Sequence, residues 1–135
     1  MHAHHIVHRD FKPENMLLSK NGVLKICDFG FARQLHESDL RDGMTLTDYV
    51  STRWYRAPEL LVGSSTYDHK VDVWAIGCIF AELVTGRALF AGESDLDMLR
   101  LVLAMFQTVQ PFPQQLQTIF NQNNLFKSIS FPTVE

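Results

Sequence analysis

The sequence has few cysteines and no apolar run long enough to cross a membrane. Its two cysteines, Cys27 and Cys78, both lie in apolar stretches, which argues against a disulfide framework and favours reduced, packed thiols. The longest apolar stretch, VDVWAIGCIFAELV at 71–84, contains Asp72 and Glu82. It is also shorter than the roughly 20 residues that a membrane-spanning helix needs. We therefore expect a buried core helix there and no membrane partner.

A strong charge of either sign is also missing. Twelve basic residues stand against 15 acidic ones, for a net charge of -3, which argues against a nucleic-acid partner. The 135 residues, 46% of them hydrophobic, suit one ordinary globular domain. The opening MHAHHIVHRD has neither the basic start nor the apolar run of a signal peptide, so we expect a cytoplasmic and/or nuclear protein.

The apolar pattern predicts one small β-hairpin. Apolar runs at 16–18 and 23–27 flank Asn21-Gly22, a dipeptide that tolerates the positive φ angles of a tight turn. The hairpin would place Asp28 at the end of its second strand. Residues 31–52 show no periodicity, and so long a stretch is usually functional or disordered.

The rest of the chain is predicted to be mainly helical. The expected helices are 56–63, ended by Gly63; 71–85, ended by Gly86; and 94–106, with Ser94 or Asp95 as its N-cap. The tail indicates a further short helix among loops. The fold class expected from this pattern is mainly α with a small β-hairpin.

The chemistry is concentrated in the stretch HRDFKPEN, residues 8–15, which we call the polar loop. Asp10 can orient and deprotonate a hydroxyl group, and Lys12 suits a phosphate oxygen. Asn15 in the polar loop and Asp28 after the hairpin offer oxygens to a hard cation. Together these groups are typical of a phosphoryl-transfer site.

Four motifs resemble those of the protein kinases, in the family's order and spacing. The polar loop resembles the catalytic loop, with Phe11 where leucine is usual, and it is followed by DFG at 28–30, APE at 57–59 and DVWAIG at 72–77. The resemblance implies that residues 1–135 are a partial protein kinase domain. The expected fold is then part of the C-terminal lobe of an α+β, two-lobed parent.

The resemblance also implies a role for each polar group. Asp10 would be the catalytic base and Lys12 would contact the transferred phosphate, while Asn15 and Asp28 would hold Mg²⁺ and with it ATP. Thr52 would bridge Asp10 and Lys12. The lysine of DFKPEN is similar to that of serine/threonine kinases, which implies protein substrates with Ser or Thr acceptors.

Four further residues have structural roles by the same resemblance. His8 and Phe29 would pack in the internal spine of the lobe, and Asp72 would hold the backbone of the polar loop. Glu59 would pair with an arginine that lies late in the lobe. A carboxylate left unpaired in a protein interior is costly.

The segment TDYVSTRWYRAPELLVG at 47–63 resembles the cyclin-dependent-kinase-like group, with the MAP kinases next nearest. Thr47 and Tyr49 would be phosphorylated by an upstream kinase, although both can also be ordinary solvated loop residues. Each phosphate would add about -1.5 to -2 charges and need arginines to order the segment. The candidate arginines are Arg9, Arg33, Arg53 and Arg56.

Two simpler alternatives concern histidine and cysteine. The histidines His2, His4, His5 and His8 suggest a metal site, but no second cluster of ligands completes it, which favours structural roles. Cys27 is either a reactive thiol near the nucleotide or an inert buried one, and the second interpretation is favoured.

The residues printed here contain no glycine-rich loop ahead of the polar loop. The small-lobe lysine and the adenine-binding hinge would therefore be missing, as would the last helices of the large lobe. We expect the 135 residues alone to transfer little or no phosphate. The alternative function is a non-catalytic, kinase-derived binding module or a shortened isoform that engages substrates or partners.

Overall fold

The computed structural model describes residues 1–35, 53–106 and 111–132. Within these ranges the chain is mainly helical, with two small antiparallel sheets. The helices are α1 (Pro58–Leu61), α2 (Lys70–Thr85), α3 (Asp95–Phe106) and α4 (Gln114–Gln122), and the strands are β1 (Ile6–Val7), β2 (Met16–Leu18), β3 (Leu24–Ile26) and β4 (Arg33–Gln34). The predicted fold class is confirmed.

Strands β2 and β3 form the predicted hairpin. Met16 lies opposite Ile26, and the N–H of Ser19 donates to the carbonyl of Val23 over 2.9 Å. Gly22 closes the turn with a φ of 75°, a conformation that glycine adopts at no steric cost. The hairpin matters to the site because it returns the chain to the end of the polar loop.

The second sheet, β1 with β4, was not predicted. Val7 lies opposite Arg33, and the N–H of Leu35 donates to the carbonyl of His5 over 2.7 Å. Strands of two residues are too short to show an alternating pattern, so β4 was included in the stretch without periodicity. This sheet ties the chain that follows the hairpin to the chain that enters the polar loop.

Helix α1 is shorter than predicted, but Gly63 still follows its end. Gly63 has a φ of 79°, and a side chain there would collide with the amide of Asn123. That amide donates to the carbonyl of Val62 over 3.0 Å. Gly63 is therefore required both by its backbone conformation and by the close approach of the chain that follows α4.

Helix α2 ends at Gly86 as predicted, where the glycine has a φ of 74° and donates to the carbonyl of Glu82. The expectation of a wholly buried helix is wrong. One side of α2 is buried, at Val71, Asp72, Ala75, Cys78 and Ile79. The other side we call the exposed face of α2; its residues are 45–77% exposed, namely Val73, Ile76, Phe80, Leu83 and Val84.

Helix α3 begins with a side-chain cap. Of the two predicted residues, Ser94 is the cap, because its Oγ accepts from the N–H of Asp97 over 3.1 Å. The carboxylate of Asp97 accepts in turn from the N–H of Glu93 over 3.0 Å. These bonds satisfy two N–H groups near the start of the helix.

The core lies between α1, α2, α3 and the chain around α4. Phe90, Met98, Leu99 and Phe120 are at most 2% exposed and belong to one apolar cluster. Phe11 of the polar loop is 4% exposed and packs in the same cluster, so the core fixes the position of this loop. No helix in the described ranges has the length and apolar character needed to cross a membrane.

Candidate active site

Two side chains of the polar loop, those of Lys12 and Asn15, converge on the carboxylate of Asp10. The Nζ of Lys12 lies 3.0 Å from Oδ2 of Asp10, and Nδ2 of Asn15 donates to the same oxygen over 3.0 Å. Nδ2 also donates to the carbonyl of Asp10 over 2.8 Å. Asp10 and Asn15 are buried, 9% and 5% exposed. The loop therefore holds a carboxylate, an ammonium and an amide in one arrangement.

Asp72, in the first turn of α2, fastens the backbone of the polar loop. Its two carboxylate oxygens accept from the N–H groups of His8 and Arg9, each over 2.8 Å. Nε2 of His2 lies 2.7 Å from Oδ2 of Asp72. The carboxylate is 1% exposed, and hydrogen bonds to a buried charge are among the strongest in proteins. The buried side of α2 thereby sets where Asp10 lies.

His8 is fully buried and links the polar loop to the end of the hairpin. Its Nδ1 accepts from the N–H of Asp10 over 3.3 Å, so Nε2 carries the hydrogen and donates to the carbonyl of Cys27 over 3.1 Å. The ring stacks on Phe11 with centroids 4.6 Å apart. Its packing matches the structural role that the resemblance implied.

The hairpin brings Asp28 to the polar loop. The N–H of Cys27 donates to the carbonyl of Asn15 over 2.9 Å, so Asp28 follows directly after a residue paired with Asn15. Asp28 has a φ of 62°, and its Oδ1 accepts from the N–H of Gly30 over 3.3 Å. The carboxylate is exposed.

Phe29 is less buried than the resemblance implied. Its ring meets His8 edge to face at 5.1 Å, but the residue is 53% exposed. One side of the ring therefore contacts the interior, while the rest faces solvent. The expectation that Phe29 packs inside the lobe is wrong for the exposed part of its ring.

Two of the four candidate phosphate-binding arginines, Arg53 and Arg56, share one carboxylate partner. Nε of Arg53 and Nη1 of Arg56 both donate to Oδ1 of Asp95, over 2.9 and 3.3 Å. Arg9 instead contacts other groups, described below, and Arg33 lies in β4. Two of the four guanidinium groups thus already have a carboxylate partner.

Thr47, Tyr49 and Thr52 lie outside the described residues. Their predicted roles in regulation and in bridging Asp10 and Lys12 stay predictions.

Glu59 is half-buried, and no ion pair to it is present among the described residues. Burial raises the pKa of its carboxyl, the nearby Asp68 carboxylate raises it further, and Lys70 opposes the shift. The surroundings of Glu59 therefore favour the protonated carboxyl more than water does. The pairing with a distant arginine that the resemblance implied stays a prediction.

The described residues bear on the two alternatives, a metal site formed by the histidines and a reactive thiol at Cys27. In the parts of the chain with described structure, no group of three or more His, Cys, Asp or Glu side chains is placed to hold a metal ion. His2 instead contacts Asp72. Cys27 is half-buried, and its interpretation as an inert thiol stays a prediction. Burial raises the pKa of the other thiol, that of Cys78, to about 11, which makes Cys78 a poor nucleophile at neutral pH.

Comparison with known proteins decides the family. The sequence model of the protein family described as "Protein kinase domain" matches residues 1–130 of this chain. The chain belongs to the protein kinase family. It is 52% identical over 134 residues to cyclin-dependent kinase-like 4 of Mus musculus, an alignment that covers 99% of this chain and 37% of that protein.

Two further relatives are also cyclin-dependent kinase-like proteins and also align with nearly the whole chain. Cyclin-dependent kinase-like 4 of Homo sapiens is 52% identical over 99% of this chain and 33% of its own length. Cyclin-dependent kinase-like 2 of Oryctolagus cuniculus is 49% identical over 99% of this chain and 22% of its own length. The resemblance to the cyclin-dependent-kinase-like group is thus confirmed, and the chain spans about a third or less of these kinases.

Three residues that contact the kinase site were missed by the sequence reasoning. His2 contacts Asp72, Asp95 contacts Arg53 and Arg56, and Tyr67 contacts Arg9. Each partner lies far away along the chain, and no local pattern marks such a pair.

Proposed function

We propose that this chain carries the acid–base and magnesium-binding half of an ATP-dependent serine/threonine protein kinase. The observation that supports this most is the buried Asp10 carboxylate, which lies within hydrogen-bond distance of both Lys12 and Asn15. The tie from Asp72 to the backbone of the polar loop supports it further. Charged groups that are held in a fixed arrangement before the substrate binds are typical of catalytic sites.

The residues fit ATP and Mg²⁺ by their chemistry. Asn15 and Asp28 present amide and carboxylate oxygens, which are the ligands that Mg²⁺ prefers. The amide of Asn15 uses Nδ2 for its two bonds to Asp10, which leaves Oδ1 outside those bonds. The bound ion would neutralise negative charge on the nucleotide phosphates.

The carboxylate and the ammonium have complementary roles in the proposed transfer. Asp10 accepts the proton of a serine or threonine hydroxyl and aims its oxygen at the terminal phosphate. Lys12, 3.0 Å from that carboxylate, adds positive charge where the transferred group passes. The acceptor preference follows from the DFKPEN pattern, and activation by an upstream kinase acting on Thr47 and Tyr49 belongs to the same proposal.

The test is a phosphorylation assay on the protein expressed from its complete coding sequence. We expect Mg²⁺-dependent transfer from labelled ATP to serine and threonine in protein substrates, and a loss of about 10³-fold or more in Asp10→Asn. Asp97→Asn, the same exchange in the cap of α3, should keep its activity. Equal activity in Asp10→Asn and wild type would show that the proposal is wrong, and transfer to tyrosine alone would contradict the acceptor class.

The 135 residues alone are proposed to transfer little phosphate. They include the polar loop but no glycine-rich loop, so contacts to adenine and the lysine that positions the phosphates are not among them. Robust magnesium–ATP-dependent phosphorylation by the purified 135-residue chain, abolished in Asp10→Asn, would contradict this expectation.

A further inference from the structure

Arg9 has a backbone conformation that needs support. It lies directly before Asp10, and its φ of 67° is in the left-handed region that costs a non-glycine residue roughly 1–2 kcal/mol. Asp72 holds its backbone N–H. A residue in such a conformation keeps it when the surrounding contacts specify it fully, so the contacts of the Arg9 side chain also bear on the position of Asp10.

The guanidinium group of Arg9 is held by two uncharged oxygens. Nε donates to the carbonyl of Phe31 over 2.6 Å, and Nη1 donates to the hydroxyl of Tyr67 over 2.8 Å. The guanidinium carbon also lies 5.9 Å from the centre of the Tyr67 ring, within the range of a cation–π interaction. Tyr67 therefore contacts Arg9 in two ways.

Tyr67 is itself anchored in the fold. It lies in the loop between α1 and α2, and its ring packs against the apolar cluster of Val7, Ala57, Leu60 and Val71. This cluster joins β1 to both helices. A side chain that is fixed on one side by the core, and bonded on the other to a charged group, can hold that group in one orientation.

We propose that Tyr67 is a positioning residue of the kinase site: by holding Arg9, it keeps the following Asp10 in the orientation needed for transfer. This inference rests on the proposed kinase function for its effect on activity, but its structural effect can be measured separately. Because the two acceptors of Arg9 among the described residues are uncharged oxygens, they hold the Arg9 side chain without the help of a phosphate group.

The test compares Tyr67→Phe with Tyr55→Phe in the dephosphorylated protein, expressed from its complete coding sequence. Tyr55 is the matched control, since its hydroxyl also makes one short side-chain bond, to Glu82 over 2.7 Å. The first readout is hydrogen–deuterium exchange of the amides of the polar loop. The second is kcat and KM in the phosphorylation assay.

In Tyr67→Phe we expect amide exchange in the polar loop to rise about tenfold, the effect of losing one hydrogen bond to a charged group. We expect kcat to fall by a similar factor while the KM for ATP stays the same. Tyr67→Leu, which also removes the ring, should have the larger effect on both. Tyr55→Phe should leave both unchanged, even where it lowers the melting temperature as much.

Unchanged exchange and unchanged kcat in Tyr67→Phe would overturn the inference, as would equal effects in Tyr55→Phe. The failure of the proposed kinase function would be distinguishable from the failure of this inference about Tyr67. If the kinase function failed, Asp10→Asn would have wild-type behaviour in the assay, while the exchange of the polar loop in Tyr67→Phe would still report whether Tyr67 holds it.

Discussion

Replacing Asp72 by asparagine keeps the shape of the side chain and removes its charge. The carboxylate is 1% exposed and accepts from His8 and Arg9 over 2.8 Å, with His2 at 2.7 Å. The asparagine amide has one accepting oxygen, which is best placed beside the N–H of His8 and the ring of His2. Its NH₂ group then faces the N–H of Arg9. Both groups are hydrogen-bond donors, so the bond between residue 72 and the backbone of Arg9 is lost.

The cost follows from these contacts. Losing a hydrogen bond to a charged acceptor costs about 1.5–3 kcal/mol, and leaving the partly buried N–H of Arg9 unpaired adds about 1–3 kcal/mol. We expect Asp72→Asn to lower the free energy of unfolding by about 3–5 kcal/mol. Since domains are stable by about 5–15 kcal/mol, this loss is a large fraction of the stability of a typical domain.

Urea unfolding of the purified chain, followed by circular dichroism, measures this loss. Asp68→Asn is the control, because Asp68 lies just before the same helix, is 43% exposed and accepts from the N–H of Lys70 over 2.7 Å. Asparagine caps helices about as well as aspartate, so this variant should lose less than about 1 kcal/mol. A loss below about 1 kcal/mol in Asp72→Asn would refute the reasoning.

Three further substitutions test the half-buried carboxyl group of Glu59 and the backbone at two glycines of the 135-residue chain. Because burial raises the pKa of Glu59, the folded state binds the proton of this carboxyl more tightly than the unfolded state does. The free energy of unfolding should therefore fall as the pH rises from the ordinary glutamate pKa, about 4.3, towards the raised pKa of the folded state. Glu59→Gln should raise the melting temperature at pH 7 and remove that fall; an unchanged pH profile would contradict this. Gly63→Ala should lower the free energy of unfolding by about 2–3 kcal/mol, because of left-handed backbone strain and the displaced amide of Asn123. Gly77→Ala in α2 is the control, since an added carbon there meets nothing within 4 Å. It should raise the free energy of unfolding in urea by about 0.5–1 kcal/mol. Equal effects at the two glycines would show that the αL geometry of Gly63 does not matter.

The parts of the site that sequence reasoning predicted are close together along the chain. Asp10, Lys12 and Asn15 lie within one loop, and their contacts with one another are local. The hairpin that delivers Asp28 could be predicted because an Asn-Gly turn has a backbone requirement of its own. The tie from Asp72 was expected only through the resemblance to kinases.

The parts that were missed depend on tertiary structure. The pairing of β1 with β4, the contact of Tyr67 with Arg9 and that of Asp95 with Arg53 join segments far apart in the chain. Local propensity and periodicity carry no information about which distant segments meet. The exposure of one side of α2 was missed for a related reason, since a stretch that is apolar nearly all round does not reveal which side has a partner.

The exposed face of α2 affects how this polypeptide can be handled in solution. Phe80, Leu83 and Val84 are 67–77% exposed, and every square ångström of such surface withdrawn from water is worth about 25 cal/mol. Two copies that cover this surface mutually gain free energy without forming any specific contact. Concentrated preparations will then contain self-associated material, and spectroscopic or kinetic data should be extrapolated from a dilution series.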